Sequence, residues 1–317
     1  MPDASRRSPG NGRLGRSLRR RTKTTPAGDA RRSGEPSPHG RHAQSRCSRR
    51  VRQPEDRCER AIDRAILGRL LVCAPFTILS PTFQTLARRL RAGDIGKPCA
   101  ARARYGWAGP DWTEWFYKPG GGCLFDLGVY CITSLTGLLG PARRVMAMTG
   151  IAIPEREVRG RPVTVEAEDN AQVLLDFGAG TLAVVTCGFT MQQYRSPALE
   201  VYGSAGTMQM LGDDWDPDGY ELFANDAGCW QVFKETQPDW PWTDGLNHLV
   251  ECVRSGAPPL VTPHHARHVL EIMLKARQSG REGRAVELET TFALPDFATT
   301  AATAEAAHRQ HDRTREH

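Results

Sequence analysis

Hydrophobic residues follow two rhythms along this chain, and the order of those rhythms predicts the architecture. Phe83, Leu86, Ala87 and Leu90 recur at helical spacing ahead of Gly93, so Pro81 to Ala92 predicts a short helix. Alternation takes over from Lys97 to Trp107. After an intervening helical stretch it returns in Arg144–Ile153, Asp169–Phe177, Thr181–Thr190, Leu199–Tyr202, Thr207–Leu211, Tyr220–Ala224 and Trp230–Glu235. Phe177-Gly178-Ala179-Gly180 and Gly203-Ser204-Ala205-Gly206 read as hairpin connections, which makes much of the sheet antiparallel. Two helices close the pattern. Thr243–Ser255 carries Leu246, Leu249, Val250 and Val253 on one face and stops at Gly256. The next is capped by Thr262-Pro263, runs to Ser279, and buries Val269, Ile272, Met273 and Ala276. The fold class is α+β: a large, mostly antiparallel open sheet with helices on one face.

The helical stretch between the first two strands carries the candidate chemistry. It opens Lys118-Pro119-Gly120-Gly121-Gly122-Cys123-Leu124-Phe125-Asp126-Leu127-Gly128-Val129-Tyr130. Asp126 and Tyr130 are four residues apart, one helical turn, so they share a face that Thr133 and Gly137 continue. Leu127, Cys131, Leu135 and Leu138 make the opposite, apolar face. Gly120, Gly121 and Gly122 let the backbone approach a ligand and leave N–H groups at the positive end of the helix dipole, where an anionic or hydroxyl-rich molecule is favoured. The same glycines also suit an ordinary turn before a buried helix. Ahead of them, Trp107 to Tyr117 is unusually aromatic. Trp112, Trp115 and Tyr117 suit either a wall for a sugar-like ring or anchors for the loop itself. His264, His265 and His268 with Glu271 are read as solvated first-turn residues, with no metal site, because no second ligand cluster accompanies them.

The polar stripe after a triple glycine resembles the Gfo/Idh/MocA oxidoreductase family, in which a GGG-x-x-x-D-x-G-x-[HY] helix start lines a sugar or polyol pocket. Leu71-Val72-Cys73-Ala74-Pro75 looks like the last strand of that family's nucleotide domain, and Ala92-Gly93-Asp94-Ile95-Gly96-Lys97-Pro98 like its crossover. Leu138-Leu139-Gly140-Pro141 and Val201-Tyr202-Gly203-Ser204-Ala205-Gly206-Thr207 follow in family order. The resemblance runs from Leu70 to Phe297. It implies NAD or NADP as cofactor and a secondary alcohol of a sugar or polyol as substrate. In this reading Tyr130 takes the hydroxyl proton and Asp126 holds a hydroxyl or orients the ring, while Lys118, Gly120, Gly121, Gly122, Trp112 and Trp115 bind substrate. It also implies a homo-oligomer, most simply a dimer, paired through the sheets.

What the family implies and the residues lack is equally informative. The family's Gly-rich dinucleotide turn and its Glu-Lys-Pro lysine are not recognisable. Gly10-Asn11-Gly12-Arg13-Leu14-Gly15 fits G-x-G-x-x-G, but no apolar strand precedes it and no apolar helical face follows. Only five lysines occur, and those before proline, Lys97 and Lys118, follow Gly96 and Tyr117. Residues 1–70 hold 19 Lys and Arg against 7 Asp and Glu, net +12; the rest holds 23 against 29, net −6. The expected organisation is therefore a disordered basic arm at 1–60, a remnant of the nucleotide-binding domain at 61–96, a substrate-binding and oligomerisation domain at 97–298, and a disordered tail at 299–317. The arm lacks interleaved aromatics and any nucleic-acid-binding fold, which argues against nucleic acid as partner. No run reaches the roughly 18 apolar residues of a membrane span, no secretory signal follows the basic arm, and nine scattered cysteines without a C-x-x-C pair fit a reducing, cytoplasmic setting. The chain is expected to be inactive alone, since the cofactor-binding parts are missing. The alternative is a catalytically silent remnant that oligomerises or binds a small molecule.

Overall fold

The computed structural model describes residues 70–195, 197–234 and 240–297. The expected arm, the tail, residues 61–69 of the remnant and residue 298 lie outside the described residues. The described part forms a nine-stranded sheet with helices packed on one face.

Helix α1 (Pro81–Ala92) begins where the side chain of Ser80 accepts a bond from Phe83 N at 3.1 Å and ends at Gly93, whose φ of 86° suits glycine. It buries Phe83, Leu86, Ala87 and Leu90 as its spacing predicts. Strand β1 (Pro98–Gly106) follows, then a 3-10 turn at Glu114–Tyr117, a π-helical turn at Leu124–Gly128, and helix α2 (Val129–Leu139) continuing from it. Next come β2 (Arg144–Gly150), a small hairpin of β3 (Glu155–Val158) and β4 (Arg161–Thr164), β5 (Asn170–Gly178), β6 (Thr181–Gly188), β7 (Leu199–Gly203), β8 (Gly206–Gly212), β9 (Pro217–Ala224) and β10 (Cys229–Lys234). Helices α3 (Gly245–Ser255) and α4 (Pro263–Glu282) and a two-residue β11 (Val286–Glu287) complete it. The Thr262 side chain caps α4, accepting from His265 N at 3.2 Å.

The sheet order is β10-β9-β8-β7-β1-β6-β5-β2-β11. Among the described residues β1 and β6 pair in parallel and every other ladder is antiparallel. Alternation sorts the faces: Ala101, Ala103, Val145, Ala147, Val173, Leu175, Ala183 and Val185 are buried under the helices. Their neighbours Met146, Leu174 and Val184 stand exposed on the other face and are aligned across β2, β5 and β6.

The structure departs from the sequence expectations at three places. Leu71 to Pro75 form no strand, having no ladder partner among the described residues. The apolar face of α3 is uncovered: Leu246 is 69% and Val253 66% exposed, and the helix buries Gly245, against the Phe76 ring, and Cys252 instead. Periodicity marks an apolar face but does not supply its cover. Finally, Thr133 and Gly137 are buried, with Gly137 tight against Ile78 and Phe83, so the polar stripe of α2 ends above them.

Candidate active site

Asp126 lies in the π turn and Tyr130 one residue into α2, both half-buried at the helix start. A π turn is rare and often marks a functional position. Here it sets the register with which Asp126 enters the helix. The Tyr130 ring stands edge-on to Tyr105 at the end of β1, with centroids 5.3 Å apart and planes at 87°. That contact seats the phenol on the sheet. The structure therefore brings together the carboxylate and phenol singled out by spacing, and the charge of Asp126 acts on Tyr130.

Sequence reading missed the rest of this cluster. Asp213 and Asp214 arrive on the loop after β8, and Tyr194 on the loop after β6. The Tyr194 hydroxyl points at Asp213 Oδ1 across 3.4 Å. Ser134 Oγ donates to Asp214 Oδ2 at 3.3 Å and shares a 3.1 Å bond with Thr77 Oγ1. No local motif announces Asp213-Asp214; the Gly212-Asp213-Asp214 turn is recognisable only as a turn.

Burial dominates the electrostatics. Removal from water pushes Asp126 up to about 6 and the fully enclosed Asp214 up to about 7. Burial also raises Tyr130, with the Asp126 and Asp214 charges adding to it, and raises Tyr105 and Tyr194. None of Asp126, Asp213 and Asp214 has an ion-pair partner among the described residues. A nearby cation is Arg104, 5.9 Å from the Tyr194 ring centroid. At neutral pH Tyr130 is therefore a neutral phenol that both donates and accepts a hydrogen bond.

The glycines play a different part from the expected one. Gly121 N donates to Lys118 O at 2.9 Å, Gly122 N to Phe116 O at 2.7 Å and Cys123 N to Glu168 O at 2.9 Å, so these amides are spent within the fold and make no anion cradle. Gly121 has no side chain because one would strike the carbonyls of Trp115 and Phe116. Gly122, at φ 99°, makes room for the Arg277–Glu168 pair, whose guanidinium also donates to Gly121 O. Lys118 is bound to Glu166 at 2.6 Å and Thr164 O at 3.1 Å. An open cleft of about 520 Å³ does lie beside Gly120, between Thr149, Glu166, Glu168 and Arg281, but neither Asp126 nor Tyr130 lines it.

The aromatic loop divides between the two alternatives. Tyr117 is an anchor: it is 1% exposed, donates to Pro110 O at 2.6 Å and lies under Arg156. Arg156 reaches Asp169, Phe189 O and Ala108 O, tying the loop to the β3–β4 hairpin. Trp112 and Trp115 are about half exposed. Trp112 stacks on Trp107 and Trp115 on Phe116, leaving aromatic faces at the surface.

The histidines are not all solvated. His265 and His268 are buried: His265 Nε2 is 2.7 Å from Thr136 Oγ1, while His268 Nε2 accepts from Ala142 N at 3.0 Å. The side of α4 facing the core decides this. No group of metal-ligating side chains occurs among the described residues.

Comparison with known proteins gives the chain relatives in sequence and in fold. A family profile described as GFO/IDH/MocA C-terminal domain matches residues 83–209. D-apiose dehydrogenase of Paraburkholderia graminis is 25% identical over 228 residues, covering 66% of this chain and 57% of that protein. Trans-1,2-dihydrobenzene-1,2-diol dehydrogenase of Macaca fuscata fuscata is 29% identical over 227 residues, covering 66% and 62%. The chain thus spans about 60% of the length of these curated relatives. The structure of a levoglucosan dehydrogenase in complex with NADH shares the fold, with a TM-score of 0.64 over 74% of this chain and 71% of that one, at 16% identity.

Proposed function

Since this chain belongs to the GFO/IDH/MocA family through the C-terminal domain at residues 83–209, we propose that it binds a sugar, polyol or related secondary alcohol as the substrate half of an NAD(P)-dependent oxidoreductase site. The observation that carries the reading is the pairing of Asp126 with Tyr130 at the helix start, seated on the sheet by Tyr105. Tyr130 is the group that meets the reacting hydroxyl, and Asp126, one turn back, accepts a neighbouring hydroxyl and orients the ring. Trp112 and Trp115 offer aromatic faces for the apolar side of a sugar ring.

The described residues do not fit a dinucleotide. They contain no parallel strand followed by a Gly-rich turn and helix, and no lysine is among the charges that act on Tyr130; Lys97 binds Ala179 O, Lys118 binds Glu166 and Lys275 binds Glu289. With carboxyls as its neighbours the Tyr130 phenol is held protonated, the wrong state for taking a proton. Turnover in this proposal waits on a dinucleotide-binding fold, with its cation, from outside the described residues. The same raised phenol favours the second reading, a silent small-molecule platform.

The exposed row of Met146, Leu174 and Val184, extended by Met148 and Leu182, supports self-association through the sheet face, most simply as a dimer. A double Met148→Lys, Leu174→Lys variant should then run as a monomer by sedimentation; a wild type already monomeric at tens of micromolar refutes the pairing.

The functional test is titration of the full chain with a panel of sugars and polyols by calorimetry, with and without NADH or NADPH. Wild-type binding that falls at least about tenfold in Tyr130→Phe and Asp126→Asn supports the site. Variants that bind like wild type refute it. Binding without turnover at any cofactor concentration selects the silent platform.

A further inference from the structure

The cluster around Tyr130 extends beyond the two residues the proposed function uses, and its composition is lopsided. Within reach of one another stand Asp126, Asp213 and Asp214, the phenols of Tyr105, Tyr130 and Tyr194, and the Ser134 hydroxyl. The charges of Asp213 and Asp214 both act on Tyr105, whose ring meets that of Tyr130 edge-on, so the two loop carboxyls and the helix-start pair gather in one region of the fold. Of the three carboxyls, Asp214 is 3% exposed and already bonded to Ser134. Asp213 is half-buried, with a long 3.4 Å contact to Tyr194. The loop that carries both has a further unmet group: the indole Nε1 of Trp215 is buried with no acceptor among the described residues. A buried donor left unpaired is costly, and a ligand oxygen is one way to satisfy it.

Resting on the polyol reading above, we propose that Asp213 and Tyr194 form the wall facing Asp126 and Tyr130, and make the site selective for uncharged or amine-bearing polyols over those carrying a carboxylate or phosphate. Hydroxyls and ammonium groups donate to carboxylates and phenolic oxygens, and every carboxyl here offers an acceptor or, if protonated, a donor. An anionic substituent meets the opposite situation. It loses its hydration beside ionised carboxylates and finds no lysine. Arg104, a cation beside the cluster, lies over the Tyr194 ring, where the ring face engages its charge. The amides of Gly121, Gly122 and Cys123 add no anion seat, since all three donate within the protein.

The experiment uses matched ligands that differ in one charge: glucose and glucosamine against glucuronate and glucose 6-phosphate, titrated into the full chain by calorimetry at constant ionic strength. Glucose and glucosamine should bind at least about tenfold more tightly than either anionic partner. Asp213→Asn should narrow that ratio by about fivefold or more while leaving the thermal melt in place, since Asp213 is not part of the core. Tyr194→Phe, which removes the hydroxyl and keeps the ring, should weaken all four ligands in parallel. Equal or tighter binding of the anionic pair, or an unchanged ratio in Asp213→Asn, overturns the selectivity while leaving the polyol site standing. Failure of all four to bind overturns both.

Discussion

Gly120 and Gly122 offer a controlled perturbation, because they share a backbone conformation and differ in surroundings. Their φ angles are 97° and 99°. A methyl group on Gly120 meets nothing within 4 Å, whereas on Gly122 it runs into Glu168 Oε1, Glu168 Cδ and Arg277 Nη2. Gly120→Ala therefore incurs only the backbone term, about 1 to 2 kcal/mol for a residue with a Cβ in this region. Gly122→Ala incurs the same term and must also displace a carboxylate that Arg277 grips through Nε at 3.1 Å and Nη2 at 2.7 Å. That carboxylate is 9% exposed, so it cannot swing into water without leaving Arg277 behind. Parting a buried pair costs about 3 to 5 kcal/mol; with Arg277 one-fifth exposed, about 2 kcal/mol beyond the Gly120 value is the working figure. Urea unfolding followed by circular dichroism reads this directly. At a slope of about 2 kcal/mol per molar, Gly122→Ala should unfold about 1 M earlier than Gly120→Ala. In a Glu168→Gln background the gap should shrink, because the two positions act through one contact. Equal midpoints for the two alanine variants would refute the assignment of Gly122 to the ion pair.

Other expectations follow from buried ionisable groups. Asp214 has a folded pKa raised to about 7 against about 3.9 unfolded, so its contribution is full at low pH and is lost as pH rises through 7. Asp214→Asn should gain stability over wild type at pH 8, with a ceiling of about 4 kcal/mol, gain about 1.5 kcal/mol at pH 5, and gain almost none at pH 3; urea midpoints at the three values decide it. His265 runs the other way: its folded value is lowered to about 4 by burial, with the neighbouring His268 adding to it, so the neutral ring's contribution is complete above about 6.5 and fades as pH falls toward 4. The stability deficit of His265→Asn relative to wild type should accordingly narrow by up to about 3 kcal/mol between pH 7 and pH 4, and a constant deficit would count against a buried neutral imidazole. Arg156→Ala leaves Asp169, 0% exposed, without its cation and should cost about 3 kcal/mol, measured as a drop in melting temperature, with faster proteolysis of the Trp107–Tyr117 loop.

Local chemistry fixed much of the fold in advance. Ser80-Pro81 and Gly93 bound α1, Thr262-Pro263 opens α4, and period-two runs mark β1, β2 and β5 to β10, because caps and alternation act within a few residues of themselves. The β3–β4 hairpin escaped notice, since its turn uses Arg159 and Gly160, both at positive φ, without an Asn-Gly or Asp-Gly signal. The spacing of Asp126 and Tyr130 was enough to put them on one side of a helix. It did not show what stands opposite. Tyr105, Tyr194, Asp213 and Asp214 are remote in sequence and meet only because β1 lies between β6 and β7, which carries the ends of three strands to the start of α2. The triple glycine shows the reverse case: composition suggested a cradle of free amides, and the tertiary fold consumed those of Gly121 and Gly122, because each could reach a carbonyl that the chain itself brought back. Propensity and periodicity are properties of neighbouring residues, whereas the partner of a buried N–H or carboxyl depends on which distant strand the sheet places beside it.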